Sequence, residues 1–190
     1  MTEDYRVVLF CSRNKDNKDV PNFKQRTKHF VAKDSDYIHE AFNAFLKAGA
    51  PNELSRFYMS VNRRDPKRVR DNLIVRMLSQ HDNFDPTKMN EMLVSVAANA
   101  DSALDHNWLY DLDYYEDNIS KPTEEEVRHM FSKYVDPESI NIISTVHGLS
   151  VISHIHFDTR ELLKTYPWIT LKKDDMMLVD WGKNYTSKLS

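Results

Sequence analysis

The stretch Trp108-Leu-Tyr-Asp-Leu-Asp-Tyr-Tyr115 decides how this chain is read. At period two it is a strand with two unlike faces. Trp108, Tyr110, Leu112 and Tyr114 point one way and can cover a core. Asp111 and Asp113 point the other way, side by side. Two carboxylates at i, i+2 on one strand face repel each other unless a cation lies between them. An Asp-x-Asp pair at a strand end therefore predicts a hard-cation site, for Mg²⁺ or Mn²⁺. The plain alternative is a strand that surfaces into a polar loop with both carboxylates solvated.

Upstream of that strand the charge changes sign. Between Arg56 and Arg76 there are seven Lys/Arg against two Asp, whereas between Asp101 and Glu126 there are nine Asp/Glu against Lys121 alone. A basic segment beside an acidic one suits a polyanion held next to a metal centre. Arg56, Tyr58, Arg63, Arg64, Lys67 and Arg68 are the candidate substrate-binding residues, the cations for phosphates and Tyr58 for stacking. Solvated surfaces would give the same pattern.

The rest of the composition narrows the classes. A chain of 190 residues, 41% hydrophobic and 29% charged, suits one compact domain with a real core. Three Gly are too few for a glycine-rich phosphate loop. Cys11 is the one cysteine, so there is no disulfide framework or cysteine-based zinc site, and a cytoplasmic setting is expected. No apolar run reaches the length of a membrane span, and no secretory signal is evident.

Around the central stretch, strands are predicted at 6–11, 27–32 and 55–62. Arg56, Tyr58, Ser60 and Asn62 form the polar face of the third, opposite Phe57, Met59 and Val61. Ser35 or Asp36 caps a helix with Ile38, Ala41, Phe42, Phe45 and Leu46 inward. Asp65-Pro66 and Asp85-Pro86 each open a helix, Asp as cap and Pro in the first turn; Val69, Leu73, Ile74 and Met77 are the inward side of the first. Thr123 with Glu126 forms a capping box. Residues 140–156 read as two strands around His147-Gly148, and 168–171 with 176–181 as a closing hairpin. From Gly182 onward a polar tail is expected. The predicted class is α+β: a largely antiparallel sheet with packed helices, in one domain over 1–181.

Two further features join the acid pair. Asp180 is a lone carboxylate in the apolar strand Met177-Leu-Val-Asp-Trp181, and a buried carboxylate needs a partner. The bend Ser144-Thr-Val-His-Gly-Leu-Ser150 places hydroxyls and an imidazole at a strand junction. An Asp pair with a distant Asp is a ligand set for two-metal phosphoryl transfer.

This order of motifs resembles the archaeo-eukaryotic primase, or primase-polymerase, superfamily. The matching elements are Leu109-Tyr-Asp-Leu-Asp113, the segment Ser144 to Ser150, and Leu178-Val-Asp180, within about residues 55–181. The resemblance implies an RRM-like palm, Mg²⁺ or Mn²⁺ on Asp111, Asp113 and Asp180, and a nucleotide phosphate near the middle motif. Two registers of that motif stay open. One makes His147 the phosphate contact beside Ser144 and Thr145. The other aligns Gly148 with the family's glycine and leaves Ser150 at the histidine position.

The expected activity is metal-dependent phosphodiester chemistry on single-stranded DNA. Nucleotidyl transfer from nucleoside triphosphates leads, and cleavage of the strand by the same acids is the alternative, in a phage-encoded or mobile-element setting. A third reading is a non-catalytic RRM-like nucleic-acid-binding module. His154 and His156 form a His-x-His without an evident third zinc ligand.

Overall fold

A computed structural model describes residues 5–33, 36–80, 83–114, 120–146 and 148–185. The fold is α+β, with two four-stranded sheets. The sequence reading takes 1–181 as one domain; the contacts divide the chain into two compact units. One runs up to Leu104 and resumes at Leu178, and the other is Asp105–Met177. Among the described residues no helix is long and apolar enough to cross a membrane.

The first unit contains β1 (Tyr5–Ser12), β2 (Arg26–Lys33), β3 (Leu54–Ser60) and β8 (Met176–Lys183), in the order β2-β1-β3-β8. Its helices are α1 (Asp36–Lys47), α2 (Pro66–Ser79) and α3 (Met89–Ala97). Phe10, Phe42 and Phe57 meet at centroid distances of 5.2–5.5 Å in its core. Ser35, one of the two expected caps of α1, lies outside the described residues. Asp65 caps α2 as predicted, accepting from the backbone N–H groups of Lys67 and Arg68.

Three sequence expectations change here. β3 is not half polar: Arg56 and Ser60, on the face opposite Phe57, are buried as well, Arg56 against the carboxylate of Asp16 and Ser60 between the Val7 N–H and the Asn62 carbonyl. On α2 only Val69 is buried, and Ile74 is 49% exposed. Its side chains also make polar contacts, Asn72 with Ser102 and Arg76 with Ser95. Gly182 and Asn184 are not loose tail: Gly182 lies within β8, and Asn184 is buried and donates to the Gly49 carbonyl.

The second unit contains β4 (Trp108–Leu112), α4 (Glu124–Phe131), β5 (Ile140–Ser144), β6 (Leu149–Ser153), α5 (Arg160–Thr165) and β7 (Ile169–Lys172). Its sheet order is β5-β6-β4-β7, every neighbouring pair antiparallel. The predicted capping box, Thr123 with Glu126, opens α4. The expected hairpin between 168–171 and 176–181 does not form, because β7 pairs with β4 whereas β8 joins the other sheet.

One face of this second sheet is the core face. Tyr110, Leu112, Ile140, Leu149, Val151 and Ile169 pack there with Val127 and Phe131 of α4 and Leu162 of α5. Tyr110 lies edge-on to Phe131, centroids 5.1 Å apart. Gly148 is required where it stands: a Cβ there would be 2.3 Å from the Leu112 carbonyl oxygen. The opposite face is fixed by register. It carries Leu109 and Asp111 of β4, Ser150 and Ile152 of β6, and Thr170 and Lys172 of β7.

Candidate functional site

The acid pair stands where the strand pattern puts it. Asp111 is half-buried near the end of β4; Asp113 follows the strand, exposed, its N–H bonded to the Trp168 carbonyl at 3.1 Å. Ser150, buried on β6, is the direct cross-strand partner of Asp111. The structure thus brings two expected site residues, Asp111 and Ser150, onto one face. Ser144 is exposed at the end of β5 and Thr145 is half-buried in the turn after it, bonded to the Gly148 carbonyl. His147, the expected phosphate contact, lies outside the described residues.

Sequence reasoning missed the cation at this pair. Lys172 pairs in register with Leu109, two residues before Asp111 on the same strand face. Its Nζ lies 3.0 Å from Asp111 Oδ2 and 3.6 Å from Asp175 Oδ2. Partial burial works against the ammonium. The hydrogen bond that Lys172 donates to Asp111 and the charges of Asp111, Asp175 and Asp113 outweigh that, and the pKa of Lys172 is raised. The sequence carries one signal for this: in a strand antiparallel to β4, Thr170 and Lys172 share the parity of Asp111. The signal is usable only once the pairing of β7 is known.

Asp180 belongs to a different sheet from the pair. It lies on β8, in the sheet of β1, β2 and β3, whereas Asp111 lies in the sheet of β5, β6 and β7. The strands carrying the three acids that the resemblance assigns to the metal are therefore not neighbours in one sheet. The carboxylate is exposed, and its Oδ1 accepts from the N–H of Trp181 at 2.8 Å. It is not a buried charge in need of a shared cation.

The Mg²⁺ or Mn²⁺ centre implied by the primase resemblance can be tested on these donors. A divalent ion requires carboxylate oxygens at 2.0–2.2 Å with water filling its shell. Here the space beside Asp111 is taken by an ammonium. Among the described residues no group of three His, Cys, Asp or Glu side chains is placed to hold an ion. The donor set does not fit the implied centre.

The expected basic surface divides into two classes. Arg56 is buried, with Nη2 2.6 Å from Asp16 Oδ1, and Nη1 3.3 Å from the hydroxyl of half-buried Tyr58. Arg64 is 2% exposed, and its backbone bridges Tyr5 and Ala103. These two arginines hold the fold and are withdrawn from any surface patch, because both lie where strands or turns converge. Arg63 is half-buried, its carbonyl accepting from Leu104. Lys67 and Arg68 remain exposed in the first turn of α2, with Arg70 one position beyond Val69. Arg68 also donates to the Ala103 carbonyl at 2.9 Å, and Arg70 pairs with Asp71.

A groove in the first unit was not legible in the sequence. Lys28 of β2 and Tyr37, Glu40, Ala41, Ala44 and Phe45 of α1 line an open groove of about 420 Å³. Tyr37 is 67% exposed. His154 and His156 lie beyond the end of β6, not on a strand face. His156 stacks on Trp108 at 4.4 Å, which accounts for it without a metal.

Comparison with protein-family models, with curated proteins and with solved structures finds no match to this chain.

Proposed function

We propose that this chain is a nucleic-acid-binding module related to the primase-type palm, holding single-stranded DNA without metal-dependent bond chemistry. The observation that carries the proposal is the connectivity of the second unit. Its elements run βαββαβ, and its sheet order, numbered within the unit, is 2-3-1-4. We read that order as the split-βαβ connectivity that RRM-like modules use; the Asp-x-Asp pair at the end of its first strand supports the reading. Connectivity alone serves many functions. The ligand class is supported by the exposed cations of α2, Lys67, Arg68 and Arg70, suited to phosphates. The exposed Tyr37 beside Lys28 adds an aromatic face with a cation, the pairing that sequence-tolerant strand binding uses.

Asp111 and Asp113 at one strand end, with Ser150 beside Asp111, favour the enzymatic alternative. Lys172 argues against it: an ion pair already engages Asp111, the carboxylate that the catalytic reading would give to a metal. The deciding experiment incubates the full chain with an end-labelled oligothymidine, in EDTA or in Mg²⁺ and Mn²⁺, with and without nucleoside triphosphates. Equal binding in both buffers and an unchanged oligonucleotide length are expected. Metal-dependent lengthening would restore nucleotidyl transfer. Metal-dependent shortening would restore the endonuclease, and no binding in either buffer would refute the proposal.

A further inference from the structure

We infer that Lys172 is a resident cation standing in for a divalent metal ion at the carboxylates Asp111 and Asp175. The assignment rests on register and distance. β7 runs antiparallel to β4, with Lys172 opposite Leu109 and Thr170 opposite Asp111. Lys172 is thus the diagonal neighbour of Asp111 on the same face, a spacing that a long side chain spans. Its ammonium contacts Asp111 at 3.0 Å and Asp175, just beyond the strand, at 3.6 Å.

A divalent ion placed to ligate both carboxylates would have to occupy the position of that ammonium. The two cations would repel at contact distance, so one excludes the other. The ammonium has two advantages. It is tethered to a strand that already pairs with β4, so no free ion is lost from solution to fill the site. It also donates hydrogen bonds, so the carboxylates keep their partner in the presence of a chelator. Removing the lysine should leave Asp111 and Asp175 facing an unfilled position. Mn²⁺ can use that position, because one or two carboxylates with several waters suffice for it and for Mg²⁺. This role for Lys172 deepens the metal-independent reading above, and it is tested without nucleic acid so that either can fail alone.

The test is a Mn²⁺ titration of the full chain, followed by the electron paramagnetic resonance signal of free Mn²⁺. It compares wild type, Lys172→Met, and Lys172→Met with Asp111→Asn. Lys172→Met should bind Mn²⁺ at least about tenfold more tightly than wild type. Added Mn²⁺ should raise the Tm of this variant and leave that of wild type in place. Asp111→Asn in the same background should abolish both effects. Lys172→Gln, which also removes the charge, replaces the methionine form if the latter does not fold. Wild type that binds Mn²⁺ as tightly as the lysine variants would overturn the inference. So would Mn²⁺ binding in the variants that survives Asp111→Asn.

Discussion

Arg56 Nη2 lies 2.6 Å from Asp16 Oδ1, and neither side chain is more than 7% exposed. Arg13 closes on the same carboxylate from the other side, with Nε at 2.9 Å. The carboxylate is thereby shared by two guanidiniums, one interior and one closer to solvent. An arginine that pattern assigns to a binding surface is an internal counter-ion. Arg56→Ala should destabilise the chain by roughly 3 kcal/mol in urea unfolding, as removal of one partner of a buried pair does. The salt slope of DNA binding should not move. A flattened slope with full stability would return Arg56 to the surface.

Acid should unfold the first unit through two carboxylates. At Asp16, burial opposes ionisation. The Arg13 hydrogen bond and the Arg56 and Arg13 charges outweigh it, holding its pKa below the ordinary 3.8. At Glu53, burial again opposes ionisation, and the Arg26 and Ala50 hydrogen bonds prevail, holding it below 4.5. A carboxylate with a depressed folded pKa contributes stability above its ordinary pKa and loses it as the pH falls through the folded one. The urea midpoint should therefore hold near neutrality and decline once the pH passes below 4.5. Asp16→Asn should lower the neutral plateau and make that decline shallower. An equally steep decline in the variant would assign acid unfolding to other groups.

Tyr110 separates packing from polarity. The residue is fully buried, yet its hydroxyl has no hydrogen-bond partner among the described residues, and burial pushes its pKa up. A buried hydroxyl without a partner is a desolvation cost. Tyr110→Phe should melt at or above wild type, whereas Tyr110→Ala should lose about 3–5 kcal/mol by opening a cavity against Phe131. A clear loss in the Phe variant would indicate a hydrogen bond to the hydroxyl.

The surface cations should behave differently from Arg56. Replacing Lys67, Arg68 and Arg70 together by Ala should flatten the dependence of single-stranded DNA affinity on salt. Each lost phosphate contact removes about 0.7 from the log–log slope. Tyr37→Ala should weaken binding by about 1–3 kcal/mol without changing that slope, because stacking releases no counterions. Unaltered affinity in both variants would place the strand elsewhere on the molecule.

Local devices were the legible part of this fold. Asp65 before Pro66, Thr123 with Glu126, and the alternation from Trp108 to Leu112 each act within a few residues, so the sequence carries their physics directly. What it did not carry were partners. The alternation of β3 reads as one wet face until Asp16 is found against Arg56 and the Val7 N–H against Ser60. Asp180 reads as a ligand until its strand joins the sheet that lacks Asp111. Lys172 stands one residue past the predicted strand 168–171 and carries no sign of a role, although its strand register makes it the counter-ion of Asp111. Side-chain parity is local information, whereas the choice of neighbouring strand is settled by packing across the whole unit.

The order of the strands along the chain also bears on synthesis. β8, which completes the sheet of the first unit beside β3, is finished only after the whole of Asp105–Met177 has been translated. At ordinary elongation rates that interval lasts roughly 4–15 s. Throughout it the nascent sheet holds β2, β1 and β3 but has an open backbone edge along β3. The second unit, whose strands are contiguous in sequence, emerges whole in the meantime. Folding on the ribosome therefore finishes with the amino-terminal unit, and an unpaired strand edge waits in the nascent chain as a template for wrong pairing.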